Sequence, residues 1–135
     1  MRTFDVQGIE IKVPASELLA FIANPTHLPR WTHAFASVSD GSALLRTPNG
    51  EVRIGLGVHE SAPEGTVDWV MTFPDGSVAT AFSRVVAVGR DRSIYSFILT
   101  PPPVPLERLE GALEAQARTL AEELQRLKEV LEHDA

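Results

Sequence analysis

The sequence has no cysteine. That excludes disulfides, thiolate metal sites, iron–sulfur clusters and a cysteine nucleophile. Basic residues are also scarce: 12 Lys and Arg against 18 Asp and Glu give a net charge of −6. Wholesale electrostatic binding to nucleic acid or an anionic membrane is therefore not expected. No apolar run approaches the roughly 18 residues of a membrane span. The opening Met1-Arg2-Thr3-Phe4-Asp5 does not have the pattern of a signal peptide, so a cytoplasmic location is the expectation. The four histidines (His27, His33, His59 and His133) form no HxH or HExxH spacing, and no metal or cofactor is expected. Gly55-x-Gly57 lacks the third glycine of a dinucleotide loop, and there is no Gly-x-Ser-x-Gly elbow.

What remains is 135 residues of average composition, 44% hydrophobic and 22% charged. That is enough for one core, and residues 1–135 read as one domain. No repeat or linker tract divides the chain.

The clearest element is C-terminal. Leu106, Leu109, Leu113, Ala117, Leu120, Leu124, Leu127 and Leu131 recur at spacings of three and four, which makes one apolar stripe on a helix. Glu114→Arg118 and Glu122→Arg126 are favourable i,i+4 pairs on its flanks. The preceding hundred residues read as strands around a short helical insert. Phe4–Val13 alternates, with a change of phase that a bulge at Gly8 would reconcile. Pro14 opens a short helix carrying Leu18, Leu19, Phe21 and Ile22, and Thr26–Trp31, bounded by Pro25 and Pro29, reads as a second helical turn. Six strands follow, over Phe35–Ser39, Ala43–Arg46, Glu51–Glu60, Gly65–Phe73, Ser77–Val88 and Ser93–Thr100. Hairpin-length turn signals separate them, which predicts an antiparallel meander.

Side-chain alternation assigns the faces. Val52, Ile54, Leu56 and Val58 point inward, as do Val67, Trp69, Met71 and Phe73 in the next strand. Read as a two-residue type I′ turn, Asp75-Gly76 pairs Trp69 with Phe82 and Val67 with Arg84. The inward row of that strand is then Val78, Thr80, Phe82, Arg84, Val86 and Val88. An even loop at Gly89–Arg92 places Tyr95 and Phe97 inward as well. The expected architecture is α+β: a seven-stranded antiparallel curled sheet around a long C-terminal helix, with two short helices after the first strand. A helix about 10 Å across cannot cover so wide a sheet unless the sheet curls. A curled sheet gripping a helix leaves a hollow, where an apolar ligand would bind.

The order of elements resembles the helix-grip fold of the START-like SRPBCC superfamily, in its polyketide cyclase/dehydrase-like branch. The resemblance is carried by Ile11-Lys12-Val13-Pro14-Ala15-Ser16-Glu17, by Phe21-Ile22-Ala23-Asn24 leading to Trp31, by Ser83-Arg84-Val85, and by the closing helix over Leu120–Glu132. It implies a hydrophobic cavity and small or lipid-like ligands. It brings no universal catalytic motif.

The candidate ligand-binding residues are Arg84, Tyr95, Trp69, Phe82, Phe97, Thr80, Trp31, His33, Leu109 and Leu113. Arg84 is the one charge assigned to the inner face, and its planar fork of donors suits a carboxylate, enolate or phenolate. The plainer alternative is a protein partner for it, or a position at the rim. Tyr95 could donate to a carbonyl, Trp31 would plug one end, and His33 would reach the mouth. The expected function is binding of a small hydrophobic or aromatic molecule, with an acidic group on it as an option that Arg84 would serve. One alternative is a cyclase/dehydrase-type lyase, with Arg84 or Tyr95 polarising a carbonyl and His33 moving a proton. Another is a protein-interaction module using the outer sheet face, which carries enough apolar residues for a homodimer interface.

Overall fold

The computed structural model describes residues 4–47, 50–100 and 106–133, with the side chains of 47 and 106–113 left aside. The order is β1 (Asp5–Ile11), α1 (Ala15–Ala23), a 3-10 turn (Pro25–His27), α2 (Leu28–Trp31), β2 (Phe35–Ser39), β3 (Ser42–Thr47), β4 (Gly50–Ser61), β5 (Thr66–Thr72), β6 (Val78–Ala87), β7 (Ser93–Leu99) and α3 (Leu106–His133). The seven strands form one antiparallel, unclosed sheet in the order β1-β7-β6-β5-β4-β3-β2. This is the helix-grip α+β architecture that the pattern of elements predicts.

Local chemistry explains the borders. Pro14, extended at φ −60°, precedes α1, where its missing N–H is no loss. Asn24 ends α1, and its side chain accepts from the Thr26 amide at 3.1 Å. In α3 the stripe is used as its periodicity predicts: Leu120, Leu124, Leu127 and Leu131 are buried. The helix runs against β1 and α2. Gln7 Nε2 donates to the Ala117 carbonyl at 2.8 Å, and Lys128 Nζ to the Glu10 carbonyl at 3.1 Å. α1 sits over β5, β6 and β7, burying Leu18 and Ile22 beside Val67, Val85 and Tyr95.

Two expectations fail here. β1 has no bulge: its ladder with β7 is continuous from Asp5↔Leu99 to Ile11↔Ser93. The phase change is instead a change of face, with Phe4 and Val6 outward and exposed, and Gln7, Ile9 and Ile11 inward.

The second failure is the register of β6. Thr72 pairs with Val78, Met71 with Ala79, Trp69 with Ala81 and Val67 with Ser83. The loop is therefore odd. Pro74 and Asp75 are the central residues of a turn closed by Gly76 N–H to the Phe73 carbonyl at 2.9 Å. Gly76 then takes φ +88° before Phe73 N–H meets the Ser77 carbonyl at 2.9 Å. A type I′ turn would need Asp75 at positive φ, and among the described residues only glycines adopt it. The inward row of β6 is consequently Ala79, Ala81, Ser83 and Val85. Val78, Thr80, Phe82, Arg84, Val86 and Val88 face outward. The next loop slips by one as well, since Val85 and not Val86 faces Tyr95. The two slips cancel, so β7 keeps its expected inner row.

Gly65 is a second tight point. It has φ +73°, and a Cβ there would lie 2.2 Å from the Val85 carbonyl oxygen. Gly65→Ala should therefore lose about 2 kcal/mol or more of stability, whereas Gly76→Ala, with open space around it, should lose only about 1 kcal/mol. Urea denaturation of both variants checks this, and equal losses would contradict it.

Candidate functional site in the sheet concavity

The inner face changes character along the strands. At one end Trp31, Val67, Trp69, Val85 and Tyr95 are buried under α1 and α2. At the other, Met71, Phe73, Ala79, Phe97 and Leu99 are only half-buried. Between them the inward residues of β6 are small. Large neighbours on β5 and β7 thus flank a row of small side chains, Ala79, Ala81 and Ser83.

Three polar side chains meet at the buried end. Trp69, Ser83 and Tyr95 stand on adjacent strands β5, β6 and β7, each diagonal to the next by the ladder pairing. Tyr95 is fully buried and Trp69 is 3% exposed. Tyr95 is held edge-on between Trp31 and Phe97, with ring centroids 6.1 and 6.5 Å away. The Ser83 hydroxyl donates to the Val67 carbonyl at 2.6 Å. The Tyr95 hydroxyl lies between Ser83 and Trp69, within weak hydrogen-bonding reach of both, although neither it nor Trp69 Nε1 makes a bond of full geometry. Burial raises the phenol well above its usual range and outweighs these two hydrogen bonds, which lower it. The phenol therefore stays protonated.

The expected site residues divide accordingly. Trp69, Tyr95 and Trp31 come together in the buried interior, and Phe97 lies beside them on the half-buried side. Arg84, Phe82 and Thr80 do not join them, because the odd loop turns all three outward. Arg84 is exposed, and its Nε donates to the Glu64 carbonyl at 3.2 Å. The expectation of an acidic ligand anchored by Arg84 is withdrawn with it. His33 is also outside. Its side chain is 52% exposed, 3.9 Å from Glu122, while its amide donates to Glu123 at 2.6 Å and its carbonyl accepts from Arg46 at 2.9 Å. Leu109 and Leu113 lie in α3, but their side chains fall outside the described residues. Ser83 was missed as a site residue. Its signal was Pro74, which presets φ for the first position of the odd turn.

Two shallow hollows lie elsewhere on the molecule. One, of about 110 Å³, lies among Pro25, Thr26, Val38, Gly41 and Leu56. The other is an open depression over Ala121, Glu122, Gln125, Arg126 and Glu129 on α3. Among the described residues no group of three His, Asp or Glu could hold a metal ion, and no helix is long and apolar enough to cross a membrane.

No family model matches the chain, and no curated protein aligns with it significantly. Solved structures do match. A START superfamily protein from Mycobacterium smegmatis superposes with a TM-score of 0.75 at 14% identity, over 99% of this chain and 100% of that one. The chain has the START-like fold. The same START-like architecture occurs in the di-domain aromatase/cyclase BexL, with a TM-score of 0.70 at 16% identity over 98% of this chain and 47% of that one. It occurs again in the ZhuI aromatase/cyclase of a Streptomyces species, with a TM-score of 0.64 at 7% identity over 93% of this chain and 88% of that one.

The contact of His33 with α3 generates a pH prediction. Burial raises the Glu123 carboxyl above its usual range, against the His33 amide and the His33 charge, which lower it. The unfolded chain therefore releases this proton first. The stability this group contributes is present in acid and is lost as pH rises from the ordinary carboxylate range through the raised folded value. Glu123→Gln keeps an acceptor for His33 and removes the titration. Its stability relative to the parent should rise between acidic and neutral pH in urea melts. A constant difference would contradict this.

Proposed function

We propose that the protein binds a small hydrophobic or aromatic molecule on the concave face of its sheet, as a cytoplasmic binding or carrier module. One observation carries this reading: the small inward row Ala79, Ala81 and Ser83 lies between large apolar neighbours on β5 and β7, with Met71, Phe73, Phe97 and Leu99 only half-buried, which leaves a shallow trough for an apolar ring with the polar atoms of Trp69, Ser83 and Tyr95 at one end. The START-like neighbours, two of them aromatase/cyclases, agree with it. A lyase reading has less support. Its proposed base, His33, is on the surface, and Tyr95 is the one titratable side chain at the buried end among the described residues.

The test is titration of the full chain with 2-acetylnaphthalene, followed by quenching of the two tryptophans. Saturation at one molecule per chain is expected. Ala81→Trp, which fills the trough opposite Trp69, should weaken binding about tenfold or more. Phe82→Trp, one residue on but on the outer face, should leave it unchanged. Unsaturable quenching, or equal loss in both variants, would refute the reading.

A separate observation favours self-association. Val6, Ile98 and Phe82 are cross-strand neighbours on the outer face of β1, β7 and β6, and they are 56%, 41% and 42% exposed. Ile94, Val86, Val78 and Val88 extend the exposed apolar surface. We propose that a second copy of the chain covers it. The patch is on the order of several hundred Å², at the upper end of what monomers leave bare. Two such patches together approach the roughly 1,000 Å² of a specific interface. A net charge of −6 opposes an anionic membrane as the occupant. Sedimentation equilibrium should show a dimer that Phe82→Glu dissociates. A strict monomer at high concentration would refute the proposal.

A further inference from the structure

We propose that two copies of the chain dock through their outer sheet faces in one register. The bulky outer row of each copy lies over the small outer row of the other, and Arg84 of each pairs with Asp68 of the second copy. This rests on the reading of the outer face as a self-association surface and names the contacts that fix it.

The ladder pairing sets out the two rows. Val6, Ile98, Phe82, Asp68 and His59 are successive cross-strand neighbours on β1, β7, β6, β5 and β4. Two residues along each strand, about 7 Å away, stand Gly8, Ser96, Arg84, Thr66 and Ser61. Both rows share the outward parity. The first is tall over β1, β7 and β6, where Val6, Ile98 and Phe82 are exposed. The second is low over β1 and β7, where Gly8 has no side chain and Ser96 a short one.

The charges are arranged to match. Arg84 is exposed, and its Nε donates to the Glu64 carbonyl at 3.2 Å. Its side chain therefore leans over β5 toward the loop that precedes Thr66, away from Asp68 of its own chain. The ion pairs between described residues are His33–Glu122, Arg92–Glu10 and Lys128–Glu132, and neither Arg84 nor Asp68 joins one.

Self-complementarity decides the occupant. A two-fold axis between the two sheets, running across the strands and midway between the rows, turns each row onto the other and keeps each strand over its own copy. Val6 then lies over Gly8 of the second copy, Ile98 over Ser96, and Phe82 over the aliphatic stem of Arg84. Asp68 lies over Thr66 of the second copy, on the side to which the guanidinium leans. Every contact is made twice. One face thus carries both halves of the fit: ridge and furrow, cation and anion.

Sedimentation equilibrium of the full chain tests this with Arg84→Asp, Asp68→Arg and the double variant. Each single change should weaken the dimer about tenfold or more. The combination should restore it, because the pair is re-formed with its charges exchanged. Overall repulsion cannot mimic this result, since Asp68→Arg makes the chain less negative. Gly8→Val reads the register separately. A Cβ there meets nothing closer than 3.5 Å within the chain, so the monomer accommodates it. The added apolar surface would tighten an unspecific contact. Here it should weaken the dimer, because Val6 of the second copy takes that space. Unchanged single variants, a double variant no better than either single, or a tighter dimer from Gly8→Val would overturn the register, while dissociation by Phe82→Glu would leave the dimer itself standing. A parent chain that stays monomeric would overturn the reading beneath.

Discussion

The site depends on a count of residues in one loop. Side chains alternate along a strand, so a hairpin with one residue more or less exchanges the two faces of everything after it. Pro74-Asp75-Gly76 is a three-residue loop because Pro74 favours the first turn position and Gly76 is free to take φ +88°, while Asp75 is not forced into the left-handed region. That choice puts Ala79, Ala81 and Ser83 over the concavity and sends Phe82 and Arg84 to the outside. The opposite choice would have filled the trough with a phenyl ring and placed a guanidinium, without a partner, among Trp69 and Tyr95. One loop therefore sets both the space on the inside and the apolar surface on the outside.

The remaining elements pack one end of that face. α1 and α2 bury Leu18, Ile22, Leu28 and Trp31 against the strands, and each fully buried aliphatic side chain contributes about 1.5–3 kcal/mol. α3 braces β1 with its leucine stripe and with two hydrogen bonds, Gln7 Nε2 to the Ala117 carbonyl and Lys128 Nζ to the Glu10 carbonyl.

Much of the fold was legible in the sequence. The leucine spacing of α3 declared its buried face, because helical period and apolar stripe leave one solution. The clean alternation of Val52 to Val58 and of Val67 to Phe73 did the same for β4 and β5. In β6 both parities mix apolar and polar residues: Val78, Phe82 and Val86 on one side, Ala79, Ala81 and Val85 on the other. The pattern could not arbitrate there, and the turn chemistry had to. Bulk favoured the wrong face. The outward Phe82 and Val6 are apolar without being core, which periodicity alone cannot announce. Trp69 and Trp31 were legible because their own strand and helix were read correctly, and Tyr95 kept its inward place because the slips on either side of β6 cancel. Arg84 was misplaced by the turn, and His33 because nothing in sequence showed that Glu123 and Arg46 would hold its backbone at the surface.

The parity of β6 can be measured directly, since the chain has no cysteine of its own. Single substitutions Ala81→Cys, Phe82→Cys, Ser83→Cys, Arg84→Cys and Val85→Cys can be treated with a maleimide under native conditions. The account predicts fast labelling at 82 and 84 and protection at 83 and 85, with 81 slower than 82 unless the trough is empty and open to the reagent. Protection at 82 and 84 with fast labelling at 83 and 85 would return Arg84 to the interior and contradict the account.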